Sequence, residues 1–228
     1  PLRSAICWEM VRLAGRGSAQ MKKCWRSGTS VSQKPALHWK GHGPLRKMPE
    51  PILIWGAGAI GGILGAFWAR AGVPVQMVDI VAEHAEACTT NGLMIEGPVE
   101  QFTQVVPCVT PDRLSGTYAR VVLAVKAQAT PQAMGQLLPH LALDGFVLSA
   151  QNGLNERVIA DRAGAERTMG AFVNYGADWI GPGRILFGNR GAVVLGEIDG
   201  SQTARTREMH ALLQIFEPDA VLTQDIWA

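Results

Sequence analysis

The chain has few of the residue patterns that build metal or disulfide frameworks. Its four cysteines, Cys7, Cys24, Cys88 and Cys108, include no Cys-x-x-Cys pair and no ligand-like spacing with histidine. Free thiols in a reducing compartment are the expectation, which points to a cytoplasmic protein without a structural metal. Of five histidines, only His38 and His42 stand four apart, and Gly41, Gly43 and Pro44 argue against a helix that would bring them onto one face. No metal is expected. The sequence also has no internal repeat and no low-complexity segment, and residues 1–47 have no apolar run long enough for a signal-peptide core.

Acid is scarce at one end only. Residues 1–47 hold ten Lys/Arg and a single acid, Glu9, whereas residues 48–228 hold 11 bases and 18 acids, a net charge of −7. Residues 1–47 therefore read as a basic leader of different character, outside the fold. Upstream sequence ahead of a natural start at Met48, a targeting segment and a basic arm for nucleic acid all fit its composition. The first of these is favoured, and a nucleic-acid partner is not expected.

What is present begins at Ile52, where 18 residues to Ala69 carry no charge, long enough to raise a membrane helix. Five of them are glycines (Gly56, Gly58, Gly61, Gly62, Gly65), and each weakens a helix interior by roughly 1 kcal/mol. Their order suggests a different structure. Ile52–Trp55 is a short apolar strand, Gly56-Ala57-Gly58-Ala59-Ile60-Gly61 fits G-x-G-x-x-G, and residues 61–70 continue as a helix that Gly72 stops. Val73–Val78 is a second strand, ending at Asp79, 21 residues after Gly58. Each position has a physical task. Gly56 permits the tight turn, Gly58 admits a pyrophosphate close to the backbone, and Gly61 brings the helix down onto the sheet. The helix N-terminus supplies free N–H groups, and Asp79 is placed to bind the adenosine ribose. A dinucleotide site is the reading, and no membrane span is expected.

Downstream, strands and helices alternate. A helix is predicted over residues 81–90, strands over 93–96 and 102–106, and an apolar strand over 120–125. Thr130 and Pro131 read as N-cap and first residue of a helix to Leu138. Further strands are predicted over 146–150, 168–174 and 192–198, with a turn and return strand between Ile180 and Phe187, and helices over 154–162 and 204–216. The alternation predicts an α/β fold, a doubly wound Rossmann-type parallel sheet over residues 48–223. Ligands of such sheets sit beyond the carboxyl ends of the strands. That singles out Lys126, whose ammonium can meet a phosphate, carboxylate or polarised carbonyl, and Asn152, whose amide can orient a hydroxyl or keto oxygen. Equally, Lys126 could be a solvated strand end and Asn152 part of an ordinary Asn-Gly turn.

GAGAIGG (56–62), AVKAQAT (124–130) and QNGLN (151–155), in this order and at these intervals, resemble the ketopantoate reductase (2-dehydropantoate 2-reductase) family from about residue 52 to residue 228. The resemblance implies a Rossmann N-terminal domain and a C-terminal helical domain. It also implies hydride transfer from NADPH to the keto group of 2-dehydropantoate, on the route to pantothenate and coenzyme A. Lys126 and Asn152 would line the cleft shared by cofactor and this small 2-keto acid. Two departures stand out. Members using NADPH tend to place a base after the second strand, where this chain has Asp79 and Ile80. A carboxylate about 4 Å from a 2′-phosphate would cost on the order of a few kcal/mol, which favours NADH. Residues 224–228 resemble the stub of the helical domain that supplies the family's catalytic lysine, the general acid. With that domain missing, no catalytic general acid is identified here, poor activity is expected, and any homodimer would form through the missing part. A related dehydrogenase of another 2-keto or opine-type substrate and a non-enzymatic dinucleotide-binding module are the alternatives.

Overall fold

The computed structural model describes residues 50–227. The basic leader 1–47, Met48, Cys7, Cys24, His38 and His42 lie outside the described residues. Among the described residues five α-helices and ten strands follow one another: β1 (Ile52–Trp55), α1 (Ala59–Arg70), β2 (Val75–Val78), α2 (Ala82–Thr90), β3 (Leu93–Glu96), β4 (Phe102–Gln104), β5 (Cys108–Val109), β6 (Tyr118–Leu123), α3 (Thr130–Leu137), β7 (Leu141–Ser149), α4 (Asn155–Ala163), β8 (Thr168–Gly181), β9 (Arg184–Glu197), α5 (Ala204–Phe216) and β10 (Val221–Leu222).

All the strands join one sheet in the order β4-β3-β9-β8-β7-β6-β1-β2-β5, with β10 beside β9. Pairing is parallel except at β3–β4 and β8–β9. The expected Rossmann-type α/β architecture is present. Along β1 the side chains alternate between two cores. Ile52 and Ile54 face α1, while Leu53 and Trp55 join Met134 and Leu137 of α3 and Ile159 of α4. Helices on both faces explain why these strands are apolar throughout rather than alternating with polar residues.

The sheet curls around α1. A Cβ at Gly65 would press on Met77 of β2 and Ile54 of β1, and one at Gly62 would collide with Ile185 of β9 and approach Leu93 of β3. From Gly61 to Trp68 every residue of α1 is buried. This accounts for the long uncharged run: a helix surrounded by its own sheet and by α5 needs an apolar surface on all sides. Trp68 closes the contact with α5, its indole N–H donating to the Leu212 carbonyl at 2.7 Å. Among the described residues no helix is long and apolar enough to cross a membrane.

Three sequence expectations need correction. The strand predicted over 168–174 and the separate pieces predicted between 180 and 198 are two 14-residue strands, β8 and β9, forming one long hairpin. Register shifts of that hairpin fall near Asn174, Gly176 and Asn189, where bulges interrupt the ladder without ending the strands. Thr130 is not the N-cap of α3. Ala129 holds that place, and the Thr130 side chain turns into a buried network instead. Finally, β5 was not anticipated, because two residues are too few to show a period.

Candidate functional site

Strand order reverses between β1 and β6, and the crevice beyond their carboxyl ends is where open α/β sheets take ligands. A cleft of about 960 Å³ opens there. Of the residues singled out from the sequence, Gly56, Gly58, Ala59, Ile60, Asp79, Lys126 and Asn152 line it. Ala57 and Gly61 do not: Ala57 is fully buried, and Gly61 is packed beneath the turn.

The turn is built by close backbone approach. Gly56 has a positive φ of 103°, and its N–H donates to the Val78 carbonyl at 2.8 Å. A Cβ on Gly61 would strike the Gly56 carbonyl and crowd Ile54 and Ala124, whereas a Cβ on Gly58 would meet nothing within 4 Å. Gly58 thus presents an open backbone surface to the cleft. It is also the N-cap of α1, with no side-chain cap and no acid in the first turn. The leading N–H groups of α1 remain available to an anion, with the positive end of the helix dipole behind them. A dinucleotide pyrophosphate fits this cradle.

Asp79 closes the turn from β2. One carboxylate oxygen accepts from the Ala57 N–H and the other from the Val81 N–H, each at 3.0 Å. Each oxygen keeps a further lone pair for a ligand hydroxyl. Ile80 follows with 78% of its surface exposed. Among the described residues lining the cleft, Lys126 is the one Lys or Arg. It is exposed, in extended backbone geometry at the start of a short 3-10 turn.

Asn152 stands on a loop supported by buried amides. The Gln151 Nε2 donates to the Val125 carbonyl (2.7 Å) and the Thr130 hydroxyl oxygen (2.8 Å). The Thr130 hydroxyl donates to Asn155 Oδ1 at 3.4 Å, and Asn155 Nδ2 to the Asn152 carbonyl at 3.0 Å. Because Val125 offers only an acceptor, the Gln151 amide is held one way round, leaving its Oε1 buried without a partner. Nearby on α4, burial pushes the Glu156 carboxyl above its ordinary range.

Sequence reasoning missed His84, which is fully buried on α2. Its Nε2 lies 2.8 Å from the Ala57 carbonyl, and its Nδ1 accepts from the Gly183 N–H (2.9 Å) and the Trp179 indole (3.2 Å). One signal was available: His84 falls on the stripe Val81, His84, Ala85, Cys88, a polar residue at a core position of the helix. Trp179 and Asp178 also line the cleft and were missed, because the hairpin that carries them was read as broken. Cys88 and Cys108 are buried free thiols that interact with each other. This holds the Cys88 thiol below the ordinary thiol range and pushes Cys108 above it. Among the described residues no cluster of three or more His, Cys, Asp or Glu could hold a metal.

Comparisons with known proteins bear on the family and the fold. The family model described as ketopantoate reductase PanE/ApbA matches residues 52–200. A 2-dehydropantoate 2-reductase of Pyrococcus horikoshii is 32% identical over 151 residues, covering 64% of this chain and 46% of that protein. One from Mesorhizobium japonicum is 32% identical over 176 residues, covering 68% and 54%. The chain spans about half the length of these curated relatives. Among solved structures, 2-dehydropantoate 2-reductase from Geobacter metallireducens is similar with a TM-score of 0.68 and 28% identity, over 76% of this chain and 58% of that one. D-mandelate dehydrogenase, solved with NADH and anilino(oxo)acetate, shares the fold with a TM-score of 0.69 at 22% identity, over 76% and 56%.

Proposed function

Because the chain belongs to the ketopantoate reductase PanE/ApbA family, we propose that it binds a nicotinamide dinucleotide and serves the reduction of 2-dehydropantoate to pantoate. The observation that carries the reading is the uncapped N-terminus of α1 at Gly58, open to a cleft at the strand-order switch. Bound there, the reduced nicotinamide would supply the hydride. Gly58, Ala59 and Ile60 would hold the pyrophosphate through backbone N–H groups. Asp79 would take a ribose hydroxyl on the lone pairs that its two backbone bonds leave free. Lys126 would offer its ammonium to the carboxylate or keto oxygen of the substrate, and the Asn152 amide would orient that oxygen.

The cofactor reading favours NADH. A 2′-phosphate carried by a dinucleotide in this cleft would lie beside Asp79 and Ile80, and Asp79 would repel it. The pairing of Asp79 with the Ala57 and Val81 N–H groups supports a carboxylate held in place there.

Titration of the protein with NADH and NADPH, followed by tryptophan quenching, tests binding, since Trp55 and Trp179 line the cleft. Loss of reduced-nicotinamide absorbance on adding 2-dehydropantoate tests the reaction. If neither nucleotide binds, the reading is lost. If NADH is oxidised by another 2-keto acid and not by 2-dehydropantoate, the substrate assignment falls while the enzyme class stands.

A further inference from the structure

Ala57 is gripped on both of its peptide planes. Its N–H donates to Asp79, and its carbonyl meets His84. All peptide bonds of the described chain are trans, so the C=O and N–H of one plane point in opposite directions. Drawing the Ala57 carbonyl towards α2 therefore turns the N–H of the same plane, that of Gly58, the other way. Gly58 is the residue that lines the cleft and caps α1. The direction of the first anion-binding N–H is thus set by what holds the Ala57 carbonyl.

What holds it is one tautomer of one side chain. His84 Nδ1 accepts from the Gly183 N–H and the Trp179 indole, so the ring proton of the neutral imidazole must sit on Nε2, where it donates to Ala57. Burial opposes the imidazolium, but the Cys88 sulfur, the Ala57 carbonyl and the Asp79 charge favour it and together hold the imidazole pKa above its ordinary value. A proton on Nδ1, however, would face two N–H donors head-on. The donors come from the far side of the fold: Gly183, at a positive φ of 69°, forms the tip of the β8–β9 hairpin. Trp179 precedes the tip on β8 and reaches the cleft wall, 44% exposed.

We infer that His84 is a positioning residue for dinucleotide binding, a neutral Nε2–H imidazole through which the tip of the β8–β9 hairpin orients the phosphate-binding turn. The inference rests on the dinucleotide reading above and assigns His84 no contact with the ligand. Its arrangement is that of an outer residue whose second ring nitrogen sets the tautomer of the first.

Two conservative variants separate positioning from packing. In His84→Gln the side-chain amide can still donate near the Nε2 position, while in His84→Asn the shorter amide keeps a group near Nδ1 and no longer reaches Ala57. Each variant loses one side of the bridge, so both should lower thermal stability comparably. Their affinities should diverge: His84→Gln within about threefold of the wild type for NADH, His84→Asn weaker by roughly tenfold or more, the worth of a lost orienting hydrogen bond. Equal affinities in the two variants, or losses that simply follow stability, would overturn the inference.

Should either variant fail to fold, imidazole nitrogen chemical shifts of the wild-type protein decide the matter. A protonated Nε2 with unprotonated Nδ1 at His84 is expected, and the opposite tautomer would overturn the assignment. That measurement needs no ligand. A wild type that binds neither NADH nor NADPH defeats the dinucleotide reading, and with it the role given to His84, whichever tautomer is found.

Discussion

Asp79 and Ala57, 22 positions apart, are joined by a 3.0 Å hydrogen bond from the Ala57 N–H to the carboxylate. The acid that marks the end of β2 in the sequence is therefore a brace for the glycine turn. With Val81 bound to its other oxygen, it also ties the turn to the start of α2. Asp79→Asn keeps the shape and removes the charge and one acceptor. We expect it to lower the unfolding free energy by about 1–2 kcal/mol, the scale of a hydrogen bond to a charged group. It should weaken NADH more than NADPH, since it also removes the charge that opposes a 2′-phosphate. Denaturant unfolding and nucleotide titration check both effects, and unchanged stability would mean that the brace contributes nothing.

This brace changes how cofactor choice should be tested. Replacing Asp79 by a base would damage the turn while adding the charge. Ile80, next in sequence and 78% exposed, can be changed without touching either bond. Ile80→Arg should shift the ratio of NADPH to NADH affinity towards NADPH by roughly tenfold, through a charge-assisted pair with the 2′-phosphate. No shift would place the adenosine end of the dinucleotide elsewhere.

Gly58 and Gly61 make a matched pair. A methyl group on Gly58 meets nothing within 4 Å, but one on Gly61 strikes the Gly56 carbonyl. Gly58→Ala should fold with a stability change under about 1 kcal/mol and lose most dinucleotide affinity, because the methyl group stands where the pyrophosphate must approach. Gly61→Ala should instead destabilise the fold by about 1–3 kcal/mol through overpacking. Melting curves set beside titrations separate the two. An intact dinucleotide affinity in Gly58→Ala would count against the proposed phosphate site.

Thr130 links the loop bearing Asn152 to the strand end bearing Lys126, through Gln151 and Asn155. Thr130→Val preserves volume and strands buried polar groups, which should cost about 1–3 kcal/mol. Substrate KM should rise more than NADH affinity falls, since the disturbed loop carries Asn152 and not the glycine turn.

Glu156 offers a pH test. Burial raises its carboxyl above the ordinary range, so the folded protein keeps this proton at a pH where the unfolded chain has lost it. The buried charge costs stability above the folded value, and the cost fades as pH falls, vanishing below the unfolded value. Glu156→Gln should therefore raise the melting temperature at about pH 8 and change it little at about pH 4. An equal effect at both would mean that the carboxyl is not destabilised by burial.

The amino-acid sequence by itself determined the local part of this design. Strand, glycine turn, helix and terminal acid follow one another within 28 residues, Ile52 to Asp79, and each imposes its own backbone requirement. Spacing alone was enough to identify them. The alternation of apolar strands and helices likewise specified a doubly wound sheet, because apolar strands must be covered on both faces. Tertiary structure decided the rest. Whether Gly188, Gly191 and Asn189 break a strand or bulge it depends on the partner strand, which lies elsewhere in the chain. Thr130 had two possible partners, its own helix end or Gln151, and only packing chose between them. His84 owes its role to Ala57, 27 residues before it, and Gly183, 99 after it. A hydrogen-bonding side chain on a helix can be read from sequence, but its partners cannot, because they are brought to it only when the sheet curls around α1.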